Sequence, residues 1–126
     1  MCALVGAVLG AGSDTAVDLH SYLIKNLLQH PDEFQSLKAD PSLVQGAISE
    51  TLRYESSGKT GLARYASEDL EINGHHVKKG QMVQLITSTA GMDSSIYNEP
   101  RKFDIQRDHD KSISFGQGPH YCIGVT

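Results

Sequence analysis

Apolar residues recur at steps of three and four in the first part of the chain, whereas later segments alternate apolar and polar residues. Steps of three and four place residues on one face of an α-helix. The pattern predicts a first helix over residues 3–28, with an interruption at Ala11 and Gly12. His30 and Pro31 should end this helix, because proline lacks an N–H donor and restricts the residue before it.

Two further helices are predicted before residue 55. A short helix covers residues 32–37, and a longer one ends at about Tyr54. Asp40 is suited to the N-cap of the longer helix, with Pro41 at its first position. Four apolar residues share one face of that helix: Leu43, Ala47, Ile48 and Leu52.

Short strands are predicted after Gly58, where the period of the apolar residues falls to two. Leu70 and Ile72 alternate with polar residues, and Asn73-Gly74 is a signal for a tight turn. With the preceding helices, this predicts a mainly α fold with a small antiparallel β-sheet. Further strands are expected near Val77 and over residues 82–87, followed by a long irregular segment over residues 90–114 with a helical turn at 94–97.

Composition narrows the class of protein. A chain of 126 residues corresponds to one small domain, and a net charge of -4 gives no support to nucleic-acid binding. No uninterrupted apolar run approaches the roughly 18 residues of a membrane helix, so no membrane segment is expected. The apolar residues 1–11 lack the basic start of a signal peptide. Cys2 and Cys122 could pair, although two cysteines are no disulfide framework.

A glycine-punctuated loop near the C-terminus presents one cysteine. Glycines allow the main chain to fold tightly around a sulfur atom, and nearby N–H groups lower the pKa of a thiol. Two other interpretations stay open: a surface loop with an incidental cysteine, and a zinc pair of His120 with Cys122. The zinc pair lacks the C-x-x-C or H-x₃-H partner that a four-ligand site needs. The defined positions of the loop are Phe115, Gly116, Gly118, His120, Cys122 and Gly124.

Spelled F-G-x-G-x-H-x-C-x-G, this loop resembles the haem-binding loop of the cytochrome P-450 family, the haem-thiolate monooxygenases. The resemblance implies haem b (iron protoporphyrin IX) as cofactor and the Cys122 thiolate as ligand to its iron. Phe115 matches the aromatic residue packed near that ligand, and the three glycines match the family's glycines. A thiolate ligand pushes electron density into the iron and favours O–O cleavage.

Glu50 and Arg53 are three residues apart on the third predicted helix and can pair on one face. Such pairs are common, but the family carries E-x-x-R in the equivalent helix, where it serves structure. There it anchors a loop that ends in a P-x-R-F arginine. Residues 100–103 read P-R-K-F, so Lys102 stands at the arginine's position and Arg101 lies one residue early. Lysine lacks the planar fork of arginine, which puts this clasp in question.

The run Ala11-Gly12-Ser13-Asp14-Thr15 has two interpretations. Ser13 or Asp14 could cap a helix that begins there. Alternatively, the run resembles the family's oxygen-activation segment, where a loosened helix crosses above the haem. That resemblance implies that Ala11 and Gly12 border the haem and that the Thr15 hydroxyl bonds the Ala11 carbonyl. Asp14 and Thr15 would then relay protons for catalysis.

Arg64 and His120 match family positions that contact the haem propionates, which need cationic or hydrogen-bonding partners. Arg64 lies just before the first predicted strand, and a solvated charge on an edge strand is the other interpretation. Residues 56–62 should line the pocket beside the haem. Within that segment, Leu62 is the best candidate for contact with substrate.

The resemblance covers residues 1–126 as part of a P-450 domain, without its N-terminal helices and without the helix after the haem loop. It implies a monooxygenase that uses O2 and a small organic substrate. His120 in place of an arginine is similar to soluble bacterial members, which implies a cytoplasmic enzyme with a ferredoxin-type electron donor. Two alternatives are a non-catalytic truncated segment with weak or no haem binding, and a haem-thiolate sensor. The Asp14-Thr15 pair argues against the sensor.

Overall fold

A computed structural model describes residues 2–58 and 61–125 of the chain. Helices come first, two short antiparallel ladders follow, and a largely irregular segment completes the described part. This order agrees with the predicted fold class. The helices are α1 (Cys2–Gln29), α2 (Pro31–Ala39), α3 (Val44–Tyr54) and α4 (Thr87–Ala90); the strands are β1 (Leu62–Tyr65), β2 (Leu70–Ile72), β3 (His75–Val77) and β4 (Met82–Leu85).

The first helix, α1, runs without a break through Ala11 and Gly12. The alternative in which a helix begins at Ser13 or Asp14 is therefore wrong. The predicted end is confirmed, since Pro31 occupies the first position of α2. By length and composition alone, α1 is apolar enough to cross a membrane, which differs from the sequence expectation. A core helix of a soluble protein meets the same criterion.

The connection from α2 to α3 is capped at Asp40, as predicted. Its carboxylate accepts a hydrogen bond from the Ser42 N–H at 3.0 Å. The capped element is a single 3-10 turn, Pro41–Leu43, that leads directly into α3. Hydrogen bonds from the Ser42 side chain and backbone hold the pKa of Asp40 below its ordinary value.

The buried face of α3 differs from the predicted one. Only Ala47 of the four predicted apolar residues is fully buried. The other fully buried positions of α3 are polar: Glu50, Thr51 and Arg53. These side chains can be buried because each is hydrogen-bonded, for example the Thr51 hydroxyl to the Ala47 carbonyl at 2.7 Å.

The strands form two separate ladders instead of one sheet. β2 and β3 make a hairpin whose turn residues, Asn73 and Gly74, have φ of 48° and 80°. Two positive φ angles are the geometry of a type I′ turn, as the Asn-Gly signal predicted. β1 pairs antiparallel with β4, with Leu62 opposite Leu85. The sequence placed Arg64 before the first strand, but it lies within β1.

A compact core joins the end of α1, α3 and the loop that follows residue 102. Its buried apolar members are Leu27, Ala47, Phe103 and Ile105. The His30 ring stacks on Phe103 with centroids 5.0 Å apart. A Cβ at position 46 would lie 2.1 Å from the Ile105 carbonyl oxygen, so the approach of this loop to α3 requires glycine there.

Candidate functional site

Main-chain hydrogen bonds set the geometry of the cysteine loop. The Cys122 N–H donates to the Phe115 carbonyl at 3.0 Å, which closes the loop at its base. Gly116 and Gly118 have φ of 74° and 73°, a region that favours glycine. A 3-10 turn, Gly118–His120, ends two residues before the cysteine. The loop therefore presents Cys122 at the end of a tight turn.

Cys122 is an exposed free thiol. Its Sγ accepts a hydrogen bond from the Gly124 N–H at 3.4 Å, where the 3-10 turn Ile123–Val125 begins. Cys2 is also free, so the disulfide alternative is wrong.

These features suit a thiolate that binds a large planar group. The sulfur is exposed, an N–H points to it, and a Cβ at Gly124 would contact Sγ at 3.7 Å. Glycine at that position therefore leaves one side of the sulfur open. The arrangement fits haem ligation. Within residues 2–58 and 61–125, no group of three His, Cys, Asp or Glu side chains could hold a metal ion, so the zinc interpretation has no ligand set there.

The predicted proton-relay residues lie on α1. The Thr15 hydroxyl donates to the Ala11 carbonyl at 2.6 Å, and Asp14 is exposed beside it. Helix α1 is continuous here, and the loosening implied by the resemblance is not seen. A Cβ at Gly12 would meet no atom within 4 Å, so this stretch of helix surface is open. Ser21 makes the same kind of bond to Val17 at 2.8 Å.

The predicted propionate contacts are both exposed. Arg64 lies on β1, and its guanidinium donates to the neighbouring Ala63 carbonyl at 3.0 Å. His120 ends the 3-10 turn before Cys122. Leu62, the predicted substrate contact, is 53% exposed. Lys59 and Thr60 of the predicted pocket segment lie outside the described residues.

Glu50 and Arg53 form a buried ion pair, with 0% and 2% of their surface exposed. Arg53 Nε and one terminal nitrogen each lie 2.7 Å from a different carboxylate oxygen, a bidentate geometry. The remaining guanidinium donors reach three main-chain carbonyls: Gly91, Pro100 at 2.8 Å and Lys102 at 3.2 Å. The pair thus ties α3 to the loop that precedes the cysteine loop.

Arg107 completes this clasp, and sequence reasoning missed it. Its Nε donates to Glu50 Oε1 at 3.4 Å, and its terminal nitrogens reach the carbonyls of Asn98 at 2.6 Å and Lys102 at 3.1 Å. Lys102 contributes its carbonyl, while its exposed ammonium lies 3.7 Å from Asp104. The expectation that lysine at position 102 weakens this clasp was therefore wrong, because Arg107 supplies the second guanidinium. We call Glu50, Arg53 and Arg107 the clasp.

His109 also lies against the clasp without having been predicted. Its side chain is 14% exposed, and its Nε2 lies 3.8 Å from Glu50 Oε2. Burial lowers the pKa of His109; Glu50 opposes this, and Arg53 and Arg107 add to it. The imidazole is therefore held neutral beside four charged groups, Glu50, Arg53, Arg107 and Asp108. No residue-type signal in the sequence identifies this contact, since it depends on the path of the loop.

A cavity of about 360 Å³ lies beside the C-terminal end of α3. Arg53, Ser56 of the predicted pocket segment and Gln117 of the cysteine loop line it, whereas Cys122 itself does not. Its other lining residues come from the end of α3, from α4 and from the loop before the cysteine: they include Leu52, Thr87, Tyr97, Lys111 and Ser114.

Comparison with known proteins gives a consistent picture. The family model described as Cytochrome P450 matches residues 1–126. The chain is 40% identical to Epothilone C/D epoxidase of Sorangium cellulosum over 126 residues, 100% of this chain and 30% of the relative. It is 38% identical to 20-oxo-5-O-mycaminosyltylactone 23-monooxygenase of Streptomyces fradiae over 117 residues, 93% of this chain and 28% of the relative.

The fold agrees with the sequence match. Epothilone D-bound cytochrome P450epoK superposes with a TM-score of 0.90 at 40% identity, covering 94% of this chain and 29% of that structure. About eight residues at most, 6% of 126, fall outside this match, so most of the 28-residue α1 is superposed. The chain spans about 30% of the length of the curated relatives it matches.

Proposed function

Because the chain belongs to the cytochrome P450 family, we propose that the protein carrying it is a haem-dependent monooxygenase acting on a small organic substrate. Two similar proteins are named an epoxidase and a monooxygenase, which supports this reaction class. The overall reaction consumes O2, two electrons and two protons; one oxygen atom enters the substrate and the other leaves as water. When bound, haem b supplies the iron at which this oxygen chemistry takes place.

The observation that carries the proposal is the exposed Cys122 sulfur with a main-chain donor. Cys122 binds the iron as a thiolate, and the Gly124 N–H, 3.4 Å from Sγ, stabilises the negative charge. Gly116 and Gly118 keep the loop narrow enough for close approach of a flat ligand. Phe115, whose carbonyl closes the loop, packs beside the ligand.

Asp14 and Thr15 deliver protons from α1. The Thr15 Oγ1 hydrogen is donated to the Ala11 carbonyl at 2.6 Å, which leaves the oxygen lone pairs free to accept a proton. A water chain from the exposed Asp14 would give a proton to Thr15 Oγ1 while the hydroxyl releases its own hydrogen towards the oxygen-binding surface, so that Thr15 is a hydroxyl before and after the transfer. Ala11 and Gly12 form the open helix surface on which dioxygen is held.

Arg64 and His120 bind the haem propionates. Both are exposed, so their polar atoms can meet a ligand's carboxylates. A guanidinium forms charge-assisted hydrogen bonds with a carboxylate, and His120 adds a second donor on the side of the cysteine. We further propose a cytoplasmic enzyme that receives its electrons from a ferredoxin-type partner.

The test is the absorbance of the reduced, carbon monoxide-bound protein. We expect the Soret band of the whole protein, loaded with haem, to move to the position of thiolate-ligated haem. The Cys122→Ser variant should retain a folded helical spectrum and lose that band. If Cys122→Ser keeps the thiolate band, the ligand assignment is wrong.

The second candidate is that the 126-residue chain by itself is a non-catalytic segment. One observation favours it. Its buried apolar core is small, while α1 exposes large apolar side chains such as Leu9 at 64% and Leu28 at 66%. A domain of this size is marginally stable even when its core is complete. If the isolated chain shows little helical circular dichroism and no thiolate band, while the whole protein shows both, this chain alone is non-catalytic.

A further inference from the structure

We propose that His109 is a positioning residue: its neutral imidazole donates a hydrogen bond from Nε2 to Glu50 Oε2 and thereby fixes the loop before the cysteine to α3. The inference concerns how the clasp is completed. It does not depend on the proposed oxygen chemistry.

The first argument is the uneven use of the Glu50 carboxylate. Oε1 accepts three donors: Arg53 at 2.7 Å, the Asp104 N–H at 2.8 Å and Arg107 at 3.4 Å. Oε2 accepts one hydrogen bond, from Arg53 Nε at 2.7 Å. A carboxylate has about four acceptor positions, two on each oxygen. Since Glu50 is 0% exposed, solvent does not reach the remaining position on Oε2.

The second argument is the state of the imidazole. Both ring nitrogens of His109 are buried and have no hydrogen-bond partner among the described residues. Nε2 is 3.8 Å from Oε2, so a hydrogen bond requires an approach of about 1 Å. On this proposal the ring rotates to close that distance. Among the described residues, His109 thus brings a donor without a partner to the less used oxygen of Glu50.

Electrostatics select the tautomer. With its hydrogen on Nδ1, the ring would turn the Nε2 lone pair towards the carboxylate and leave a buried N–H without an acceptor. With its hydrogen on Nε2, the ring donates to Glu50. The groups around the ring are Glu50, Arg53, Arg107 and Asp108, and burial keeps the pKa of His109 low, so the ring stays neutral.

The consequence concerns the path of the chain towards Cys122. The His109 carbonyl accepts from the Ser112 N–H at 2.9 Å, and the Ile113 carbonyl accepts from the Gly116 N–H at 2.9 Å. Fixing His109 on Glu50 therefore fixes the start of a series of turns that ends in the cysteine loop. Without this bond, the described contacts that hold the start of the segment are those of Arg107 and the N–H groups of Asp104 and Ile105.

Two isosteric variants test the donor. In His109→Gln the amide nitrogen reaches the position of Nε2, whereas in His109→Asn it reaches only the position of Nδ1. We expect the whole haem-loaded protein to keep its thermal midpoint within about 1 °C in His109→Gln. His109→Asn should lower the midpoint by about 2–4 °C, measured by circular dichroism.

His76 offers a matched control. Its Nδ1 lies 3.9 Å from Glu71 Oε2, a similar separation, but its side chain is 86% exposed. His76→Gln and His76→Asn should both leave the midpoint unchanged. The acid-induced loss of stability should also become smaller in His109→Gln, because glutamine does not titrate.

The proposal is overturned if His109→Asn and His109→Gln have the same thermal midpoint, either because both keep the wild-type value or because both lose stability. Either result means that a donor at the Nε2 position is not used. Both readouts measure unfolding and its pH dependence. A failed prediction at His109 therefore does not bear on the carbon monoxide spectrum, which tests the proposed function. Conversely, a missing thiolate band with the expected Gln and Asn midpoints would reject the proposed function and keep this inference.

Discussion

The clasp and the cysteine loop are built by opposite means. In the clasp, charged side chains are buried against one another and against main-chain carbonyls, with Glu50 0% and Arg53 2% exposed. In the cysteine loop, main-chain hydrogen bonds and glycines set the shape, and Cys122 itself is exposed. The clasp is completed by residues of this chain, while Cys122 of the loop is the side chain that we propose binds haem. Changes in the first should appear as lost stability, and changes in the second as lost ligand binding.

Breaking the clasp should have the largest effect on stability. Arg53→Leu removes the bidentate partner of Glu50 and leaves a buried carboxylate short of donors, which costs about 3–5 kcal/mol. The measurement is the free energy of unfolding of the whole protein in urea. Arg101→Leu is the matched control, because Arg101 is a neighbouring exposed arginine and should change little. Equal losses in both variants would contradict the clasp.

The second prediction separates function from stability on α1. Thr15→Ala should lower the product formed per O2 consumed by about 100-fold, with the remaining oxygen released as hydrogen peroxide. Its unfolding midpoint should change little, since the hydroxyl is exposed. Ser21→Ala removes the same type of bond, to Val17, and should change neither quantity. Undiminished coupling in Thr15→Ala would remove Thr15 from the proton relay.

The third prediction concerns pH. The pKa of His109 is lowered in the folded protein from 6.5, so the unfolded chain binds this proton more readily. Stability from this group is therefore complete above about pH 6.5 and is lost as pH falls towards the lower folded pKa. Urea unfolding at several pH values should show a steeper loss in the wild type than in His109→Gln. An identical pH dependence in the two proteins would contradict the burial of a neutral ring.

The smallest effect is expected at Lys102. Its ammonium is exposed, and the clasp uses only its carbonyl, so Lys102→Ala should change the free energy of unfolding by less than about 0.5 kcal/mol. Arg107→Ala should cost more, because its guanidinium reaches Glu50 and three carbonyls, those of Asn98, Glu99 and Lys102. A larger loss in Lys102→Ala than in Arg107→Ala would reverse this assignment.

The parts of the fold predicted from sequence are those with a local cause. Pro31 ends α1, Asp40 caps the following turn, and Asn73-Gly74 forms the hairpin turn, each through chemistry within a few residues. The missed parts depend on distant partners. β1 exists because it pairs with β4, twenty residues later, and its own alternation is too short to signal a strand.

The site shows the same division. The cysteine loop could be predicted because glycine spacing and one cysteine encode its geometry directly. Arg107 and His109 could not, because they meet Glu50 through the path of an irregular loop. The other partners of Arg107 are main-chain carbonyls, which any residue type supplies. The burial of Glu50 in place of Ile48 and Leu52 follows from the same partners.

The central claim, that the Cys122 sulfur binds the haem iron, is tested most directly by iron-edge X-ray absorption on the whole haem-loaded protein. We expect one sulfur neighbour on iron, which persists in Cys2→Ser and is absent in Cys122→Ser. A sulfur neighbour that survives Cys122→Ser, or that disappears in Cys2→Ser, would contradict the claim.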